Sequence, residues 1–253
     1  MPTAVITGAS SGIGVEYARQ LAARGADVVL VARDRAALDA LAHEIRSRHG
    51  VHVEVLAADL LDAGERAAVE TRLRSAAQPV EVLVNNAGFG LPLDFERNDI
   101  EAEAAHLALH VEVPMRLMHA ALEGMCARGS GRILNIASVA AFIPRSTYGA
   151  AKGWIVSFSR WANARYAPRG VTVTAVCPGF THTDFHRRMG LEAGSEGVPA
   201  GLWLNAAFVV RASLRDAARG RPVSIPSLRY RLLVALTRVV PSTLAARVGE
   251  SGR

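Results

Sequence analysis

Residues Ala4–Gly14 read AVITGASSGIG: a short β-branched run, then a turn carrying Gly8, Gly12 and Gly14. A helical pattern, GVEYARQLAARG, continues from Gly14 to Gly25. Glycines let a backbone turn tightly and approach a diphosphate. The helix that follows offers free N–H groups and a positive dipole end. The same alternation runs down the chain. Further strand candidates are DVVLVA, VHVEVLAA, VEVLVN, GRILNIAS, VTVTAVC and PVSIP, beginning at Asp27, Val51, Val80, Gly131, Val171 and Pro222. Helical stretches such as RAALDALAHEIRSRHG (Arg35–Gly50) and RAAVETRLRSAA (Arg66–Ala77) lie between them. Strands that alternate with helices predict an α/β domain, a doubly wound parallel sheet of about seven strands with helices on both faces.

Composition fits one such domain. The chain has 253 residues, 50% of them hydrophobic, and a mean hydropathy of +0.18. There is no internal repeat and no Pro/Ser linker, so residues 1–226 are taken as one domain. Cys126 and Cys177 lie far apart with no CxxC spacing, which argues against a disulfide scaffold and fits a reducing cytosol. The N-terminus has no basic segment of a signal peptide, and no apolar run reaches the ~18 residues needed to span a bilayer. The net charge of +6 is uneven. Residues 211–253 hold nine arginines against Asp216 and Glu250, whereas residues 1–210 carry 20 basic and 21 acidic side chains. A neutral body argues against nucleic acid as a partner. Residues 181–203, THTDFHRRMGLEAGSEGVPAGLW, form a long irregular stretch of the kind that covers a substrate.

One lysine stands among 29 basic residues, and it closes the stretch YGAAK, Tyr148–Lys152. Residues four apart share a helix face. An ammonium is a compact charge whose pKa responds to its surroundings, while guanidinium stays protonated. Beside a phenol it stabilises phenolate, which would suit Tyr148 to acid/base work.

The motifs TGxxxGIG (Thr7–Gly14), NNAG (Asn85–Gly88), Ser138, YxxxK (Tyr148–Lys152) and Pro178–Gly179 occur in that order. Together they resemble the short-chain dehydrogenase/reductase family over roughly residues 3–226. The resemblance implies that Tyr148 exchanges a proton with the substrate oxygen. It implies that Lys152 lowers the Tyr148 pKa and holds the nicotinamide ribose, and that Ser138 positions the reacting oxygen. It assigns cofactor contacts to Gly8, Ser10, Ser11, Gly12, Ile13 and Gly14, and to Asp59 and Leu60 at the adenine. Asn85, Ala87 and Gly88 would line the cofactor. Pro178, Gly179 and either Thr181 or Thr183, with Thr183 favoured, would meet the carboxamide.

Two departures shape the expectations. The second strand ends in Ala32–Arg33 rather than in an acid, so Arg33 is expected to pair with a 2′-phosphate, which favours NADP(H) over NAD(H). The family's helix Asn, which supports a proton-relay water, is replaced by His110 in LALHVEVP. His110 is expected to be neutral, because burial and the Lys152 cation both disfavour its charged form. Impaired catalysis in a nucleotide-binding scaffold or sensor is the alternative that this exchange leaves open. His106/His110 and His182/His186 each have i, i+4 spacing. No carboxylate pattern completes a zinc site at either, so no metal is expected. His119 is expected at the surface. Phe89, Leu91, Phe142, Ile143, Phe180 and Trp203 suggest a hydrophobic carbonyl or alcohol as substrate. Residues 227–253 form a basic extension in which Leu228, Leu232, Leu236 and Val239 fall on one stripe. Docking on the body or in a homo-oligomer (dimer or tetramer) is favoured for it over contact with an anionic membrane surface. The protein is expected in the cytoplasm.

Overall fold

The computed structural model describes residues 2–143, 146–183 and 199–237. Seven parallel strands form one sheet in the order β3-β2-β1-β4-β5-β6-β7. They are β1 (Thr3–Thr7), β2 (Asp27–Ala32), β3 (Val53–Ala57), β4 (Val80–Asn85), β5 (Gly131–Ile136), β6 (Val171–Val176) and β7 (Val223–Ser224). Each of the seven strand candidates is a strand, and the class is the expected one. The central strands are apolar runs because helices cover both of their faces. On one face α1 (Gly12–Ala22), α2 (Arg35–His49) and α7 (Ala206–Ala218) pack on Ile6, Leu30 and Val84. On the other, α3 (Ala63–Arg74), α5 (Val113–Arg128) and α6 (Thr147–Tyr166) pack on Val5, Val29, Leu83 and Ile133.

Helix starts follow local side-chain chemistry. Asp34, Asp62, Ser146 and Asn205 each accept a hydrogen bond from a first-turn N–H of α2, α3, α6 and α7. Asp99 does the same for α4 (Ile100–Leu107). Helix α4 does not stop there. It passes through a π-helical turn, Ala108–Glu112, directly into α5. Pro114 gives the physical reason. Its ring crowds the carbonyl four residues back, that of His110, and a wider turn relieves the clash.

The last described element, α8 (Leu228–Thr237), docks by a face other than the expected stripe. Tyr230 and Val234 are buried, while Leu228, Leu232, Leu233 and Leu236 point outward, 44–70% exposed. Val239 and the rest of the extension lie outside the described residues, as does most of the expected covering stretch, 184–198. Among the described residues no helix is long and apolar enough to cross a membrane.

A buried carboxylate joins α7, β7 and α8. Asp216 is fully buried, and its Oδ1 accepts from the Arg221 guanidinium at 2.9 Å. Oδ2 accepts from the Ser224 hydroxyl at 2.8 Å and lies 3.7 Å from Arg231 of α8. Asp216→Ala is expected to lower the unfolding free energy by about 1.5–3 kcal/mol, the range for hydrogen bonds to a charged group. Urea unfolding measures it, and an unchanged midpoint would show that solvent replaces these bonds.

Candidate active site

The sheet order reverses between β1 and β4, and open α/β sheets bind ligands at the C-terminal ends of strands around such a point. The glycine turn lies at the end of β1. Gly8 has φ +66°, a left-handed conformation suited to glycine. A Cβ on Gly14 would strike the Gly8 carbonyl oxygen, so helix and turn approach as only glycine permits. Ser11, the residue preceding α1, makes no side-chain cap, unlike the starts of α2, α3, α4, α6 and α7. First-turn N–H groups around Gly12, Ile13 and Gly14 therefore remain for a diphosphate, and the cradle fits a dinucleotide. Thr183 packs against Gly12. Thr181 is buried, and its hydroxyl donates inward to the Gly179 carbonyl at 2.9 Å. Of the two threonines, Thr183 is the one at the glycine turn.

NNAG divides its work differently from the sequence expectation. Asn85 is buried, and its amide donates to Asn135 Oδ1 at 2.8 Å, away from the cofactor cleft. Asn86, which the sequence reading passed over, donates to the Thr7 and Gly8 carbonyls at 2.9 and 3.2 Å. It ties β4 to the glycine turn. Gly88 lies against the His110 ring, where a Cβ would fall within 2.5 Å of Nε2.

At the same C-terminal ends of the strands, Arg33 and Asp59 follow β2 and β3 and stand 3.8 Å apart, with the Arg33 side chain 77% exposed. They line a depression of ≈ 400 Å³ with Arg35, Ala57, Ala58 and Glu65. Arg35 is a second guanidinium there that sequence reasoning missed. Leu60 is buried in the core on the α3 face of the sheet.

Ser138 follows β5 and accepts from the Ala140 N–H at 3.1 Å. Tyr148 and Lys152 lie one turn apart on α6. Lys152 Nζ donates to the Ile136 carbonyl at 2.7 Å and sits 5.6 Å from the Tyr148 ring centroid. Burial pushes the Lys152 ammonium down to about 8, and the neighbouring Cys177 thiol opposes this slightly. Burial pushes the Tyr148 phenol up to about 12, against the hydrogen bond from Ser138. Within the protein, desolvation thus outweighs the lowering of the phenol expected from Lys152. His110 is buried and accepts from the Phe89 N–H at 3.2 Å through Nε2. Burial first, then Lys152 and His106, hold its pKa well below 6.5, so it is neutral at pH 7, as the sequence implied. His119 is exposed, also as expected.

A family model described as short chain dehydrogenase matches residues 2–193. The chain belongs to the short-chain dehydrogenase/reductase family. A very-long-chain 3-oxoacyl-CoA reductase of Anas platyrhynchos is 35% identical over 193 residues, 73% of this chain and 61% of that longer protein. A short-chain dehydrogenase from Sphingobium yanoikuyae, solved in complex with NADPH, superposes with TM-score 0.85 at 38% identity over 94% of each chain. A bulky-bulky ketone specific alcohol dehydrogenase from Comamonas testosteroni superposes with TM-score 0.81 at 34% identity. That match covers 94% of this chain and 92% of the other. The seven-stranded fold and the ordered motifs of this chain are those of the family.

Lys152→Arg keeps a positive charge but loses the compact ammonium that fits the Ile136 carbonyl beside Tyr148. Turnover is expected to fall by ~10²-fold or more, the scale of a lost acid/base function. Near-normal kcat in this variant would show that any cation serves there.

Proposed function

We propose that this protein is an NADP(H)-dependent oxidoreductase that interconverts a hydrophobic carbonyl compound and its alcohol. A nicotinamide cofactor supplies or accepts the hydride when bound. The chain's own groups hold it, orient the substrate oxygen and move the proton. In reduction the Tyr148 phenol donates a proton to the oxygen, and in oxidation its phenolate takes one up. The Ser138 hydroxyl hydrogen-bonds the reacting oxygen, Lys152 keeps a cation beside the phenol, and His110 lies next to them. With its phenol pushed up to about 12, Tyr148 starts protonated at neutral pH, the state that reduction requires.

The observation that carries the cofactor assignment is Arg33. Its exposed guanidinium stands at the end of β2 with Arg35 beside the same depression, where an acid would otherwise bond a 2′-hydroxyl. The NADPH in the Sphingobium yanoikuyae structure supports the same choice. A hydrophobic substrate is supported by Phe180 against Trp203, 5.7 Å between centroids, and by Phe89 beside the histidines. The bulky ketone specificity of the Comamonas testosteroni enzyme points the same way. The reading includes a cytoplasmic homo-oligomer, supported by two free thiols and by exposed Trp161, Leu228, Leu232 and Leu236.

A panel of hydrophobic ketones and aldehydes, followed by loss of NADPH absorbance, tests the activity. NADPH binding with no turnover across the panel would favour a nucleotide-binding scaffold instead. Reduction is expected to hold steady below pH 8 and to fall as the Lys152 ammonium is lost above it. Oxidation, which needs the phenolate, is expected to rise with pH over the same span. Arg33→Ala should weaken NADPH by about 1.5–3 kcal/mol, the worth of a hydrogen bond to a charged group, and leave NADH nearly unchanged. Equal losses for the two cofactors would remove Arg33 from 2′-phosphate recognition.

A further inference from the structure

His106 carries a large unmet hydrogen-bonding demand beside Tyr148. The residue is 1% exposed, and neither ring nitrogen has a hydrogen-bond partner among the described residues. A neutral imidazole has one donor and one acceptor, and burying both unmade is costly unless they are used. At His110 only Nδ1 is in this position, because Nε2 takes the Phe89 N–H. The two rings meet edge to face with centroids 4.2 Å apart. Their centroids lie 5.9 and 5.7 Å from that of Tyr148. The π turn, Ala108–Glu112, begins between the two positions and contains His110.

The charged and titratable neighbours come from three elements. Burial first, and then Lys152 of α6, press the pKa of both imidazoles downward. Glu103, one turn before His106 on α4, acts in the opposite direction on His106 alone. The Glu103 oxygens accept from the Asn98 amide and from the Thr147 hydroxyl, each at 2.7 Å. Cys177, after β6, is pushed up to about 12 by burial and stays a neutral thiol. The Lys152 cation and the buried Glu103 carboxylate thus act on His106 with opposite sign. The pair has a more basic member on the Glu103 side and a less basic one on the Lys152 side.

We propose that His106 and His110 act as one proton-handling pair for Tyr148, with His106 carrying the proton toward the Glu103 side of the site. The proposal rests on the reading of Tyr148 as the acid/base. In oxidation Tyr148 gains a proton from the substrate hydroxyl and must lose it before the next turnover. One nitrogen of the pair accepts that proton as another releases its own to a water on the Glu103 side, so the pair ends with its charge unchanged. In reduction the same path runs backward and restores the phenol. No oxidant or reductant is used beyond the hydride exchange itself. His106 acts through Tyr148 and is a positioning residue for proton movement rather than a contact to substrate.

The test compares the full-length wild type with His106→Leu and His106→Gln, NADP⁺ saturating, on an alcohol that the wild type oxidises. His106→Leu is expected to lower kcat about tenfold, an order below the ~10²-fold floor for a group that transfers the proton directly. KM should be unchanged, the solvent deuterium isotope effect on kcat larger, and added imidazole should restore part of the rate. His106→Gln, close in size and still polar, should lose less. Nitrogen-15 NMR of the imidazoles, without substrate or cofactor, gives a readout independent of turnover. His110 should titrate at higher pH in His106→Gln than in wild type, because a neighbour that lowers its pKa is gone. Wild-type pH profiles and isotope effects in both variants would overturn the proposal. So would a loss of rate that imidazole does not rescue and that leaves the isotope effect unchanged, since packing alone would produce it. If the wild type oxidised no substrate, the functional reading would fail. The NMR shift would then still decide the pairing, and its absence would refute it.

Discussion

Thr7 and Asn86 hold the ends of two neighbouring strands together, and the site is assembled around that tie. The Thr7 hydroxyl accepts from the N–H groups of Asn86 and Ala87 at 2.9 and 3.0 Å and donates to the Val84 carbonyl at 3.3 Å. Asn86 returns two amide bonds to the carbonyls of Thr7 and Gly8. Parallel strands leave their last carbonyls and amides without ladder partners, and buried ones must find others. Here they find each other across β1 and β4, the place where the sheet order reverses. That fixes the glycine turn relative to NNAG. Gly88 then lies on the His110 ring and Phe89 donates to it, so the position of His110 follows from a bond network that begins at Thr7.

The electrostatics of the site follow from how dry this arrangement is. Tyr148, Lys152 and His110 all sit in surroundings that disfavour their charged forms, and each pKa moves accordingly. The directions differ because the charges differ in sign: the phenol rises, while the ammonium and imidazole fall. At neutral pH this leaves a protonated phenol, an ammonium with little margin and two neutral imidazoles. Such a site keeps its phenol in the protonated form and needs help to release that proton. That asymmetry is why an imidazole next to the tyrosine with no hydrogen-bond partner among the described residues has chemical meaning rather than only structural cost.

The strands were legible because each is a short apolar run, and buried parallel strands show little else. Helix starts were legible wherever Asp, Ser or Asn stood ahead of the pattern, as at Asp34, Asp62 and Ser146. Most of the candidate site lay in contiguous motifs, and these could be read directly. What was missed is non-local. Asn85 and Asn86 look equivalent in a string, but alternation sends one into the Asn135 network and the other to the glycine turn. Arg35 joined Arg33 only once β3 placed Asp59 opposite them. His106 was read as half of a metal-spacing pattern, and its nearness to Tyr148 depends on how α4 packs beside α6.

The C-terminal helix shows how far pattern alone can mislead. Its leucine stripe is the more hydrophobic face, yet Tyr230 and Val234 make the contact with the body. The Tyr230 hydroxyl accepts from the Phe180 N–H at 3.0 Å and donates to the Leu202 carbonyl at 2.9 Å. Its ring covers Gly179 so closely that any Cβ there would strike it. Arg231 adds a bond to the Ile225 carbonyl at 2.8 Å and an ion pair with Asp216. Directional bonds at a strand end thus set the docked face, because unpaired backbone groups at that edge would cost more than the exposed leucines. The Pro178–Gly179 turn is consequently held from both sides, by β6 before it and by Tyr230 above it. Thr183, against the glycine turn, is only four residues beyond Gly179, so the docking of the C-terminal helix bears on the same edge of the sheet as the nucleotide cradle.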